Sequence, residues 1–205
     1  MQSAKERLIN ELIDYGYLKT PAIISAFRKV PRENFVEKEL IKQAYVNEPL
    51  PIRDGQTISQ PLTVAAMTEA LKPISGMKIL EFGAGSGYQA AILAEIVKPA
   101  KIITLERKLL LADFAKNNLE KSGIKNVAVI YGDGADGWAE EAPYDRIIVT
   151  ASAREIPAVL INQLADHGRM VIPVGDEMIL IEKNSEIKKT FLGNYAFVPL
   201  LKGKE

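Results

Sequence analysis

The chain has 205 residues, 47% of them hydrophobic, and its 26 basic side chains balance its 26 acidic ones. That length supports one substantial core, and the balanced charge supplies no long-range attraction to the phosphates of nucleic acid. Cysteine is absent and His167 is the only histidine, which excludes a soft-ligand zinc set, a thiol nucleophile and a disulfide framework, so no metal is expected.

The N-terminal run Met1-Gln2-Ser3-Ala4-Lys5-Glu6-Arg7 leads into a charged amphipathic segment, unlike the apolar core of a signal peptide. No apolar run approaches the ~20 residues that span a bilayer, so a cytoplasmic chain without membrane association is expected. From Ser3 to Tyr15, Leu8, Ile9, Leu12 and Ile13 recur at helical spacing, and Pro21 to Lys29 repeats the pattern after a break at Gly16. Val30 to Gln56 holds Pro31, Pro49, Pro51 and Gly55 and reads as an irregular covering segment, of the kind that often lines a site. Pro61 to Leu71 then reads as a helix with proline in its first turn and Ser59 or Gln60 as its cap.

After Pro73, short apolar runs alternate with helical windows: Lys78-Ile79-Leu80, helix Tyr88 to Val97, Lys101 to Leu105, helix Leu109 to Lys121. Val127 to Ile130, Arg146 to Thr150 and Met170 to Val174 continue the strands. Such alternation predicts an α/β, doubly wound, mostly parallel sheet of Rossmann-like form behind the N-terminal helices. Met178 to Glu182 and Tyr195 to Leu200 follow with no helix between them, which predicts a closing antiparallel hairpin. Lys188-Lys189 reads as a solvated turn, Trp138 as a packing residue, and His167 as a surface residue in a turn where glycine is usual.

The chemistry concentrates in Glu81-Phe82-Gly83-Ala84-Gly85-Ser86-Gly87, which joins a buried strand to helix Tyr88–Val97. Gly83, Gly85 and Gly87 let the backbone turn sharply and approach a ligand, and Ser86 lies among them. A dinucleotide fingerprint would place its third glycine where Tyr88 stands. Glu81 is also poorly suited to a pyrophosphate but well suited to a cationic amino-acid moiety. Glu106 closes the next strand, where a carboxylate can accept from both ribose hydroxyls; the weaker alternative is a solvated acid paired with Arg107 or Lys108. Asp133, followed by Gly134, could accept from an adenine amino group or form a simple Asx turn. Together these loops point to S-adenosyl-L-methionine, held by Glu81, Gly83, Gly85, Ser86, Gly87, Glu106, Asp133 and Gly134. A closing hairpin also distinguishes methyltransferase sheets from plain dinucleotide folds. The expected organisation is one methyltransferase domain over 1–205, with 1–60 covering the substrate and 61–205 forming the cofactor sheet.

The chain resembles the protein-L-isoaspartate O-methyltransferases. The resemblance is carried by Val30-Pro31-Arg32-Glu33-Asn34-Phe35-Val36, Gly55-Gln56-Thr57-Ile58-Ser59-Gln60-Pro61, the glycine loop, Pro143-Tyr144-Asp145-Arg146-Ile147, Ile172-Pro173-Val174-Gly175 and Phe197-Val198-Pro199-Leu200. It implies methyl transfer to the free carboxylate of isoaspartyl residues in damaged proteins and peptides, with S-adenosyl-L-homocysteine as product and repair proceeding through a succinimide. It further implies that Ser59 is the catalytic residue, that Thr57 and Ile58 lie beside it between cofactor and substrate, and that Val198, Pro199 and Leu200 hold the isoaspartyl main chain. A hydroxyl and free N–H groups at a helix start form a natural carboxylate site, even if Ser59 only caps the helix. Two positions depart from the family pattern: Leu62 stands where histidine is frequent, and Ala196 where arginine is frequent. The alternatives are a methyltransferase acting on RNA or a small molecule, a non-catalytic cofactor-binding module, and a hydride-transferring enzyme.

Overall fold

In the computed structural model, which describes residues 1–205 apart from the side chain of Ala135, the chain opens with helices α1 (Gln2–Asp14) and α2 (Pro21–Lys29). Leu8, Ile9 and Leu12 form the buried stripe of α1 that the spacing predicts, and Ile23, Ala26 and Phe27 that of α2. The chain enters α2 over Glu69, whose Oε1 accepts the Lys19 and Thr20 N–H groups at 2.8 Å each. The covering segment follows as short 3-10 turns and the two-residue bridge of β1 (Leu50–Pro51) with β2 (Thr57–Ile58).

Helix α3 (Pro61–Leu71) starts on proline, but neither Ser59 nor Gln60 caps it with a side chain. Asn47 does so from the covering segment: its Oδ1 accepts the Leu62 N–H at 3.1 Å, and its carbonyl accepts Gln60 Nε2 at 2.8 Å. The capping role proposed for Ser59 is thereby filled by another residue, and the covering segment is stitched to the start of α3.

The main sheet contains β3 (Ile79–Phe82), β4 (Ile102–Glu106), β5 (Val127–Tyr131), β6 (Tyr144–Val149), β7 (Leu164–Val174), β8 (Glu177–Lys183) and β9 (Ile187–Asn194) in the order β5-β4-β3-β6-β7-β8-β9. The first five are parallel neighbours, and β8 and β9 run antiparallel. Helices α4 (Tyr88–Val97) and α5 (Leu109–Lys121) make the crossovers on one side of β3, and α6 (Ala158–Gln163) links β6 to β7 on the other. Strand alternation sorts the core: Ile79, Ile102 and Ile148 pack with Met67, Leu71, Ala90 and Leu93 on one face, while Leu80, Ile103 and Ile147 pack with Leu160 and Leu164 on the other. Phe27, Val30 and Phe35 bury against Tyr88, Ile92 and Phe114, so the N-terminal segment clamps the outer side of α4 and α5.

The doubly wound sheet is as the sequence predicts, but its closing hairpin is shifted. Its second arm is β9, not Tyr195 to Leu200, which forms no strand of the sheet. Lys188 and Lys189, read as a turn, sit opposite Glu182 and Ile181 in this edge strand. The outer strand of an open sheet keeps polar side chains in solvent and so lacks a long apolar run. Strand β7 also begins earlier than its apolar stretch, at Leu164, because it contains an irregularity between the Tyr144–Leu164 and Arg146–Arg169 pairings. His167 occupies that irregularity with φ +62°, exposed, which is the glycine-like conformation its sequence context suggests. Trp138 is a packing residue as expected: it lies against the α6 face, its N–H donates to Gln163 Oε1 at 2.8 Å, and its carbonyl accepts the Tyr144 hydroxyl at 2.6 Å.

Candidate cofactor and substrate site

The strand order reverses direction at β3, whose two neighbours, β4 and β6, are reached by connections leading opposite ways. A crevice forms where these connections part, at the carboxyl ends of the strands. Here it is a cavity of about 330 Å³, in the range of small-molecule sites.

Its floor is the glycine loop. Gly83 has φ +88°, and a Cβ on it would stand 2.5 Å from Thr150 Oγ1, so no side chain fits there. Thr150 Oγ1 in turn lies 2.8 Å from the carbonyls of Phe82 and Gly83 and fastens the end of β6 to the loop. Gly87 (φ +86°) forms the N-cap of α4, with Ala115 and Leu119 of α5 packed where its side chain would be. The Gly85 N–H donates to Glu106 Oε2 at 3.0 Å.

Glu106 is buried and also accepts the Lys108 N–H at 3.1 Å, so it is held by backbone donors and not by a pairing with Arg107 or Lys108. Those two cations bind elsewhere, to the C-terminal tail. Arg107 Nη2 lies 2.9 Å from Glu205 Oε1, and Lys108 Nζ lies 2.7 Å from Glu205 Oε2 and 2.5 Å from Asp54 Oδ2. The tail thus straps past the loops after β4 and β5, and its Gly203 N–H donates to Asp133 Oδ2 at 2.6 Å.

Glu81 lies deeper than a loop position. It belongs to β3, between Thr104 and Ile148, and is fully buried; neither carboxylate oxygen has a hydrogen-bond partner among the described residues. Burial pushes its carboxyl up to about 8, with the neighbouring Thr104 hydroxyl opposing the rise and the charge of Glu106 adding to it.

A second cavity of about 550 Å³ adjoins the first, and Thr57, Ser59, Thr150 and Val198 line both. Ser59 is half-buried on this partition, and among the described residues no hydrogen bond engages its hydroxyl. The opposite part of the wall, Val198 to Leu200, is fixed by a bridge to the loop after β6: the Ser152 N–H donates to the Val198 carbonyl at 2.8 Å and the Leu200 N–H to the Ser152 carbonyl at 2.7 Å.

Arg32 holds the partition from behind. Its side chain is fully buried and no carboxylate pairs with it among the described residues. Nε donates to the Ala44 carbonyl at 2.9 Å, Nη2 donates to the Ser59 carbonyl at 2.8 Å, and the guanidinium lies 4.9 Å from the centre of the Tyr88 ring. Burial lowers its pKa to about 10, which leaves it charged at neutral pH.

The structure therefore brings Thr57, Ile58, Ser59, Gly83, Gly85, Ser86, Glu106, Gly134, Val198, Pro199 and Leu200 onto one cavity wall. Gly87, Glu81 and Asp133 stand behind it. Arg32, Thr150 and Ser152 went unassigned because each acts on a distant carbonyl; only the strand-end position of Thr150 hinted at a role. Among the described residues there is no acidic, histidine or cysteine group suited to a metal ion, and no helix is long and apolar enough to cross a membrane.

A glycine cradle at the switch point, a ribose-type acid on the next strand and a closing antiparallel hairpin define an S-adenosylmethionine-dependent methyltransferase of the Rossmann-like class. The residues fit that cofactor, since the buried Glu81 carboxyl has no hydrogen-bond partner among the described residues and would ionise beside a cation, and Gly83 at φ +88° has no room for a side chain. The chain belongs to the protein-L-isoaspartate(D-aspartate) O-methyltransferase (PCMT) family, whose sequence model matches residues 2–205. It is 52% identical over 206 residues to the protein-L-isoaspartate O-methyltransferase of Methanopyrus kandleri, covering 97% of this chain and 91% of that one. The Methanothermobacter thermautotrophicus protein of the same name is 44% identical over 209 residues, covering 98% and 96%. In structure the chain resembles a Plasmodium falciparum protein described as a protein-L-isoaspartate O-methyltransferase in complex with S-adenosyl-L-homocysteine. The TM-score is 0.85 and the identity 27%, covering 96% of this chain and 97% of that one.

Proposed function

We infer that the site methylates the free carboxylate of isoaspartyl residues in damaged proteins and peptides, and that Ser59 orients that carboxylate. The observation that carries this reading is the shared wall: Ser59, with Thr57 beside it, stands between a cofactor-sized cavity on one side and a second cavity on the other. When bound, S-adenosylmethionine supplies a methyl group on a sulfonium and departs as S-adenosylhomocysteine.

The chain's own residues then have little acid–base work to do. A carboxylate with a pKa of about 4 is already ionised at neutral pH, so no general base is needed. Alignment and exclusion of water are the main contributions, and well-oriented reactants can gain roughly 7–11 kcal/mol of barrier. In this reading Glu106 accepts from the ribose hydroxyls, Gly134 and Asp133 meet the adenine end, and Glu81 compensates the ammonium. Thr57, Ile58 and Val198 to Leu200 enclose the substrate main chain. The ester formed in this family closes to a succinimide without further help from the protein.

Ser59→Ala is expected to leave the cofactor dissociation constant within about twofold and to lower kcat/KM for an isoaspartyl peptide about 10- to 100-fold, the effect of one hydrogen bond to a charged group. Calorimetry and initial rates measure the two; a matching loss of cofactor affinity would remove Ser59 from this role. The activity itself is tested with labelled cofactor and peptide twins that differ only in isoaspartyl or normal aspartyl linkage. Labelling of the isoaspartyl twin alone is expected, and equal labelling of both, or label entering RNA alone, would overturn the reading.

A further inference from the structure

We propose that the second cavity is an uncharged subsite for the side chain next to the isoaspartyl residue, selecting uncharged neighbours, aromatic ones among them, over charged ones. The proposal rests on the isoaspartyl reading above and adds a specificity to it. The residue before the isoaspartyl residue is one ordinary peptide bond away, about 3.8 Å at Cα, and the residue after it is one backbone carbon further because the chain continues through the β-carbon, so a substrate whose carboxylate meets Ser59 has both neighbours within reach of the cavity that Ser59 also lines.

Among the described residues, no Asp, Glu, Lys, Arg or His lines this cavity. Neutral polar groups such as Gln60, Thr63 and Asn194 make up much of its surface, and its apolar part comes from Tyr17, Leu62, Leu192, Tyr195 and Phe197, which pack against the core. Tyr17 is fixed by the turn after α1, where its N–H donates to the Leu12 carbonyl at 2.8 Å. Tyr195 is anchored by an N–H bond of 2.8 Å to the Asp176 carbonyl. A lysine or glutamate entering between these rings would lose water and find no opposite charge, whereas a phenylalanine would bury its ring. Leu62 and Ala196, far apart in sequence, line this same cavity, and neither brings a charge to it.

Three isoaspartyl peptides that differ at one neighbour, phenylalanine, glutamate or lysine, test the proposal, with that neighbour placed first before and then after the isoaspartyl residue. On at least one side, kcat/KM for the phenylalanine peptide is expected to exceed that for each charged peptide by at least tenfold, mainly through KM. Ala196→Arg, at an exposed position, is expected to raise the glutamate peptide at least tenfold relative to the phenylalanine peptide. Equal kcat/KM for the three peptides on both sides overturns the subsite and leaves isoaspartyl methylation standing. Turnover of none of the isoaspartyl peptides overturns both. A ranking that Ala196→Arg leaves unchanged removes Ala196 from the subsite and overturns the assignment of selectivity to this cavity.

Discussion

Replacement of Arg32 by methionine is expected to lower the melting temperature by about 5–10 °C and to raise KM for an isoaspartyl peptide more than it weakens cofactor binding. The shape of the side chain is roughly preserved, but the donors to the Ala44 and Ser59 carbonyls are lost. Each buried carbonyl left without a donor costs roughly 1–3 kcal/mol. Removing a desolvated cation that has no carboxylate partner offsets part of this, for a net loss of about 2–4 kcal/mol. The kinetic asymmetry follows from geometry, because Arg32 grips the Ser59 backbone directly and touches the cofactor loop only through the Tyr88 ring. Arg32→Lys keeps the charge, but a single ammonium does not reproduce the two-armed grip or the ring stack, so partial recovery of the melting temperature is expected. An unchanged melting temperature with unchanged peptide KM for Arg32→Met would show that the partition is held by something else.

The second large effect concerns pH. The Glu81 carboxyl is raised from 4.5 to about 8 by burial, so between those values the folded chain keeps a proton that the unfolded chain has released. The neutral acid therefore stabilises the ligand-free fold at low pH, and that contribution is lost as pH rises from about 4.5 through about 8. Glu81→Gln, which stays neutral, is expected to flatten this part of the stability profile measured by chemical denaturation. Binding a cationic ammonium favours the ionised form, so cofactor binding should expel a proton below pH 8 and tighten as pH rises, by at most about tenfold per pH unit. At pH 8 the Gln variant is expected to bind cofactor at least about tenfold more weakly, a difference of about 1.4 kcal/mol. Calorimetry in buffers of different ionisation enthalpy counts the proton; no proton release and a pH-independent affinity would separate Glu81 from the ammonium.

How much of this was legible in the sequence depends on the range over which each feature is determined. The helices α1 to α5 and the glycine loop follow from spacing and from prolines and glycines within a few residues of one another, and they stand where the pattern places them. Glu106 could be placed because a strand end and a neighbouring loop define its surroundings. Residues whose role is a bond to a distant carbonyl left no such trace: Asn47 reaches the start of α3, Arg32 reaches Ser59, and Ser152 reaches Val198. Tyr195 to Leu200 misled because it is apolar in order to line two cavities, not to enter a sheet. Strand β9 was missed for the converse reason, being polar because it is an edge.

That edge also governs how copies of the chain behave beside one another at high concentration. Beyond β9 there is no neighbouring strand, and Ile187 and Phe191 are exposed on it. Left to itself such a ribbon would template strand addition from a second copy. A parallel, in-register pairing would bring Lys188 and Lys189 of each copy together, and their repulsion opposes that arrangement until salt screens it. With the charges of the whole chain balanced, this local repulsion is what guards the edge, and concentrated salt is the condition under which it becomes adhesive in that register.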